Sequence, residues 1–285
     1  MTRFIAACIQ MRSGTDPEEN AAAMEAMVRE AAAQGARYIQ TPEMTGAVQR
    51  DRQALFAVLK PEDEDVIAAT AARLAGELDI VLHVGSTAIA AAGGKIANRA
   101  FLFGPGGERI ATYDKIHMFD VDLDNGESWR ESSTYTPGGE TVIADTGLAK
   151  VGLSICYDLR FPQLFRAQAL AGAEVLTTPA AFTRQTGEAH WHALIRARAI
   201  ENGAWVISAA QGGTHADGRE TYGHSLVVDP WGRVVADKGD AEPGVLVAEI
   251  DTAAVAAARA KIPNLKNARD FSVRTVAARE AEQDA

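Results

Sequence analysis

A short apolar run ending on a thiol constrains this chain more tightly than any other stretch. From Lys150 to Pro162 the sequence reads Lys-Val-Gly-Leu-Ser-Ile-Cys-Tyr-Asp-Leu-Arg-Phe-Pro. Val151 to Ile155 has the continuous apolar character of a short buried strand. Cys156 closes it, and Pro162 opens a helical stretch to Ala171, because proline is well tolerated at the first helical position. A thiol thus sits where a strand hands over to a helix, the layout of a nucleophile elbow with sulfur in place of oxygen. Free N–H groups and the positive end of a helix dipole are expected to lower the thiol pKa there. The alternative is a buried structural cysteine. The charged Asp158 and Arg160 that follow argue against a purely apolar socket.

Around this handover, strand and helix signals alternate. Strands are expected at Phe4–Gln10, Ala36–Thr41, Ile80–Ile89, Ile96–Phe103, Ile110–Tyr113, Thr141–Ala144, Val151–Ile155, Glu174–Thr178 and Ala204–Ala209. Helices are expected at Pro17–Gln34, with Asp16 as N-cap and Gly35 past its end, and at Glu62–Leu78, Pro162–Ala171 and Gly187–Asn202. Gly104-Pro105-Gly106-Gly107 reads as a hairpin turn. Met118–Gly139 is a long irregular segment, of the kind that is usually functional or disordered. Ser225–Asp229, Val234–Ala236 and Val245–Ile250 read as a closing meander, followed by a helix from Thr252. Residues 1–262 are expected to form one domain and 263–285 a C-terminal extension with a frayed end.

Composition removes several classes. A net charge of −10 gives no electrostatic footprint for nucleic acid. No segment approaches the roughly 18 apolar residues of a membrane span, and no signal-peptide pattern opens the chain, so a soluble cytoplasmic protein is expected. Two cysteines do not make a disulfide scaffold. Cys8, inside the apolar run Phe4–Ile9, reads as structural. The histidines show no His-x-x-x-His, and His190 and His192 fall on different helix faces, so no metal is expected. The Gly104 turn lacks the third glycine of a dinucleotide fingerprint, and no cofactor is expected.

Two further strand ends carry chemistry: Tyr38-Ile39-Gln40-Thr41-Pro42-Glu43 and Tyr113-Asp114-Lys115-Ile116-His117. With Cys156-Tyr-Asp-Leu-Arg160, Ala189-His190-Trp191, Tyr222-Gly-His-Ser225 and Val228-Asp-Pro-Trp-Gly232, they closely resemble the nitrilase or carbon-nitrogen hydrolase superfamily, in its amidase branch. The resemblance runs from Phe4 to about Ile262. It implies a four-layer α-β-β-α sandwich with two mixed sheets, a small-molecule amide substrate, and a homodimer or higher homo-oligomer. It also implies roles. Cys156 is the nucleophile, Glu43 the acid–base and Lys115 the oxyanion cation, with the Tyr157 N–H as second donor and a second glutamate beside the lysine. That glutamate is Glu131, with Glu127 as the competitor. Arg160 and Thr186 would face a substrate carboxylate; Arg160 could instead pair structurally with Asp158 or Glu174. Glu188 stands where the family commonly has proline, which puts the loop beside Thr186 in question.

Within that branch, Pro179–Phe182, Leu194–Glu201 and Ser208-Ala-Ala-Gln211 resemble enzymes of deaminated glutathione more than omega-amidases acting on α-ketoglutaramate. A reading from another class is a redox-sensing or ligand-binding thiol protein. Against sensing, no resolving cysteine neighbours Cys156.

Overall fold

The computed structural model describes residues 2–123, 126 and 128–276. Its strands are β1 (Arg3–Gln10), β2 (Ala36–Gln40), β3 (Val81–Ala91), β4 (Lys95–Phe103), β5 (Arg109–Asp114), β6 (Asp120–Asp122), β7 (Ser128–Arg130) and β8 (Val142–Asp145). They continue with β9 (Lys150–Leu153), β10 (Val175–Thr177), β11 (Trp205–Ser208), β12 (Gly212–Thr214), β13 (Glu220–Tyr222), β14 (Leu226–Val228), β15 (Val234–Asp237) and β16 (Gly244–Asp251). The α-helices are α1 (Pro17–Ala33), α2 (Arg52–Val58), α3 (Val66–Leu78), α4 (Pro162–Leu170), α5 (Arg184–Asn202) and α6 (Ala253–Lys261).

Two sheets of the same design carry the fold. One has the order β16-β1-β2-β3-β4-β5, the other β15-β14-β11-β10-β9-β8. Each holds three parallel strands, β1-β2-β3 and β11-β10-β9, flanked by antiparallel neighbours. Alternation along β1 shows how the layers form. Ala7 and Ile9 pack with Met24, Val28, Ile67 and Leu74 of α1 and α3. Ala6 and Cys8 face the other way, into a core shared with Leu153, Leu176, Val206 and Val227 of the second sheet. α4 and α5 cover that sheet's far side through Phe165, Trp191 and Ile195. The result is the expected α-β-β-α sandwich. Cys8 lies in its middle, fully buried, with its thiol pushed up to about 12 by burial.

Four features depart from the sequence reading. Glu62–Leu78 is not one helix: a 3₁₀ turn at Glu62–Glu64 precedes α3, and Asp65 caps α3 by accepting from the Ala68 N–H at 2.8 Å. The short α2 and the β12–β13 hairpin carried too weak a period to be recognised. Met118–Gly139 is partly ordered, with β6 pairing to β7 and a 3₁₀ turn at Glu131–Ser133. The closing segment is no meander: β14 and β15 form a hairpin in the second sheet, whereas β16 crosses to pair with β1 in the first.

Candidate active site

The strand-end residues converge because the parallel strands of both sheets, and β5, which runs the same way as β3 across the antiparallel β4, deliver their C-terminal ends to one side. Glu43 follows β2, Lys115 follows β5, and Cys156 follows β9. All three line a cavity of about 720 Å³ together with Glu131, Tyr157, Arg160 and Thr186. The side chains the sequence nominated are thus brought into one site. Glu127 lies outside the described residues, and Glu131 is the carboxylate that meets the lysine.

Lys115 is the hub. Its Nζ donates to Glu43 Oε1 at 2.9 Å and to Glu131 Oε1 and Oε2 at 3.0 and 2.9 Å. The lysine and Glu43 are buried. Burial works against the charge on Lys115, but Glu131 and Glu43 outweigh it and hold the pKa well above the usual lysine range. Burial likewise works against ionised Glu43. The Lys115 charge, and hydrogen bonds from Cys156, Lys115 and Asn98, prevail and keep its pKa below the ordinary value. Glu43 Oε2 also accepts the Ala181 N–H at 2.9 Å. Glu131 Oε2 takes the Phe119 N–H at 2.6 Å, which ties the β6–β7 segment to the site.

The elbow differs from the sequence expectation in one respect. Cys156 has φ 49°, a left-handed conformation unusual for a non-glycine residue, and its N–H donates to Pro179 O at 2.9 Å. It opens a 3₁₀ turn, Cys156–Arg160, while α4 starts only at Pro162. Tyr157 is the second residue of that turn, where an N–H has no partner within the turn itself. The thiol pKa is not lowered by a helix end. Burial, then the Glu43 charge, push it well above the ordinary thiol value. The resting site holds a protonated thiol against an ionised carboxylate.

Asp158 fixes this geometry. Its buried carboxylate accepts from the Ile155 N–H at 2.9 Å, the Tyr113 hydroxyl at 2.7 Å and the His117 N–H at 3.1 Å. The elbow and the chain flanking Lys115 are thereby locked to each other. Asp158 is not Arg160's partner, and Glu174 instead accepts the Lys150 N–H. The Arg160 guanidinium lies over Tyr157 and Phe182, at 5.9 and 5.5 Å, and 3.3 Å from His190 Nδ1. Thr186 sits in the first turn of α5, its hydroxyl 2.9 Å from that of the capping Thr183. Glu188 lies one turn inside α5, paired with Arg184 at the surface, so it does not reshape a loop beside Thr186.

Sequence reasoning missed two site residues. Asn98, mid-strand in β4, donates to Glu43 at 3.0 Å and to Glu131 at 3.3 Å. Arg219, before β13, lines the cavity. Neither has a motif; a polar residue inside the alternating pattern of β4 was the one available signal. Away from the cavity, His192, His224 and Asp237 gather donor atoms within 4.8 Å of one another, a grouping that comparing His190 with His192 did not anticipate.

This sandwich, with a thiol-lined cavity at its strand ends, defines a class: hydrolases acting on carbon–nitrogen bonds other than peptide bonds. The chain belongs to the carbon-nitrogen hydrolase family, whose model matches residues 5–260. It is 38% identical over 280 residues to a deaminated glutathione amidase of Synechocystis sp., covering 94% of this chain and 98% of the relative. It is 33% identical over 284 residues to Omega-amidase NIT2 of Danio rerio, covering 97% and 99%. Among solved structures, the C. elegans NitFhit protein matches with a TM-score of 0.88 and 34% identity, over 94% of this chain and 66% of that longer one.

Proposed function

We propose that the protein hydrolyses deaminated glutathione to 2-oxoglutarate and Cys-Gly through a Cys156 thioester. The observation that carries the thioester chemistry is Lys115 held at 2.9 Å from both Glu43 and Glu131, in one cavity with Cys156. Glu43 takes the thiol proton as Sγ attacks the amide carbon. The developing oxyanion is met by the Lys115 ammonium and the Tyr157 N–H. Glu43 then gives its proton to the departing nitrogen, the C–N bond breaks, and the amine leaves. Water attacks the thioester and loses a proton to Glu43; the C–S bond breaks, Sγ takes that proton back from Glu43, and the carboxylate product is released. Only the chain's own groups and water enter these steps. Glu131 keeps Lys115 charged and aimed. Arg160 and Thr186 hold the α-keto acid end.

The greater identity to the deaminated glutathione amidase than to the omega-amidase supports this substrate over α-ketoglutaramate. A redox-sensing role is disfavoured, because the other cysteine, Cys8, is fully buried in the middle of the sandwich and offers no resolving thiol. Two further parts of the reading are a homodimer and a cytoplasmic setting, where a thiol nucleophile stays reduced. No helix among the described residues is long and apolar enough to cross a membrane. The test compares kcat/KM for deaminated glutathione and α-ketoglutaramate on one preparation. A tenfold preference for α-ketoglutaramate, about 1.4 kcal/mol, reverses the substrate and leaves the mechanism standing.

A further inference from the structure

The cavity is cationic although the chain is acidic. Arg50, Arg52, Arg130, Arg160 and Arg219 line it; Arg130 pairs with Asp122 at 2.8 Å, and the two described lining carboxylates, Glu43 and Glu131, are both engaged by Lys115. Such a site selects anions. Among these arginines Arg219 is placed like a receptor. Its side chain is 15% exposed, and its buried Nε has no hydrogen-bond partner among the described residues. Among the described residues the nearest carboxylate, that of Asp217, is 4.0 Å away, beyond hydrogen-bonding distance, and its Oδ2 is likewise unpartnered. Both atoms are buried, so the part of Arg219 that can meet a ligand is the 15% left exposed, which lines the cavity.

The backbone holds Arg219 in place rather than leaving it to swing. The turn His215–Arg219 closes with the His215 N–H on Arg219 O at 2.8 Å. His215 is itself pinned through Nδ1 to Ser13 O at 2.9 Å and through Nε2 to Thr221 Oγ1 at 2.7 Å. The guanidinium stacks on Trp129 at 4.5 Å, and that of Arg50 approaches the same indole at 5.2 Å. Burial and the neighbouring Arg50 both disfavour a second positive charge there.

Arg219 stands at one end of a row of rings. Trp129 lies 6.3 Å from Phe119, Phe119 lies 5.1 Å from Tyr157, and the Arg160 guanidinium lies over Tyr157 at the other end. All five residues line the same cavity. A guanidinium at each end of this aromatic wall offers two receptors to a ligand that carries two carboxylates. Deaminated glutathione is such a ligand, with an α-keto acid at one end and a glycine carboxylate at the other.

We infer that Arg219 receives the terminal carboxylate of the leaving amine while Arg160 receives that of the acyl half, so that the cavity measures the substrate from both ends. This rests on the deaminated glutathione reading. α-Ketoglutaramate, whose leaving group is ammonia, has nothing to offer Arg219. Arg219 thus determines specificity without touching the reacting atoms.

The test crosses enzyme with substrate. Wild type, Arg219→Met and Arg219→Lys are assayed on deaminated glutathione and on its C-terminal carboxamide. Wild type should prefer the free acid by about tenfold or more in kcat/KM, carried mainly by KM, as expected for a lost charge-assisted pair. In Arg219→Met that ratio should collapse towards about one; Arg219→Lys, which keeps the charge and loses the fork, should fall between. Each ratio is taken on one preparation, so partial unfolding cancels. Equal wild-type turnover of acid and carboxamide, or a preference that survives in Arg219→Met, overturns the assignment and leaves the substrate reading intact. If the wild type turns over neither compound, the substrate reading falls and the assignment falls with it.

Discussion

Glu43 has to accept a proton from a thiol that burial keeps protonated, and Lys115 is what makes that possible. The lysine lowers the carboxylate's pKa while two carboxylates raise its own, so base and cation persist together across neutral pH. Glu43 loses its function only as pH falls through its lowered pKa. We therefore expect kcat/KM to be flat from about pH 6 to 8, with its acid limb below the ordinary glutamate value of about 4.3. An acid limb between about pH 6 and 7 would contradict the coupling. Cys156→Ala should abolish turnover with the fold retained, whereas Cys8→Ala should keep activity and lose stability only, as a core truncation does. Lys115→Met should cost about 2.7–4 kcal/mol in transition-state stabilisation, read as kcat. Glu131→Gln should fall less far, and a larger drop in Glu127→Gln would exchange their roles. Glu43, Lys115 and Cys156 were legible in the sequence because each ends a strand inside a dense local motif. Asn98 and Arg219 were not. An asparagine in mid-strand and an arginine in a polar turn look like ordinary surface residues until the sheets bring them to Glu43 and Trp129.

Where elements meet, the site depends on one glycine. Gly85 lies in β3 within the irregularity that interrupts its pairing with β4 between Val84 and Thr87. A Cβ there would sit 2.1 Å from Thr41 O, 2.6 Å from Pro42 O and 2.4 Å from Pro179 Cβ. Pro42 precedes Glu43, and Pro179 O accepts the Cys156 N–H, so the strand ends carrying base and nucleophile close over this position. Gly85→Ala should push them apart. The expected outcome is a loss of about 1–3 kcal/mol, the range for overpacking, measured as a lower Tm, together with a fall in kcat. Normal kcat at reduced Tm would show that the strain spreads away from the site. The strands themselves were readable from apolar runs and turn residues. The partner of β16 was not, since Val245–Ile250 has the same apolar look whether it extends the hairpin or crosses to β1. Register and sheet membership are decided by long-range pairing that no local period encodes.

For the whole molecule, the covering helices leave an apolar surface on the second sheet's side. Ile200 of α5 sits over Gly232, whose added Cβ would meet Ile200 Cγ1 at 2.4 Å, and Trp231 beside it carries Lys261 Nζ over its ring at 5.6 Å. Ile200 and Trp231 stay 51% and 47% exposed, with Val234 and Val235 following on β15. Large apolar side chains gathered across α5, the Trp231 turn and β15 are what a contact surface needs, and a lone monomer gains nothing by showing them to water. We propose that the homodimer of the functional reading uses this face. Reading the dimer from sequence relied on resemblance, because Ile200 and Trp231 are far apart in the chain and neither marks itself as exposed. Sedimentation should give twice the chain's mass for the wild type and one chain's mass for Ile200→Asp combined with Trp231→Asp. Both substitutions lie on exposed side chains, so Tm measured at low protein concentration should change little. A dimer that survives the double substitution would move the interface elsewhere on the sandwich.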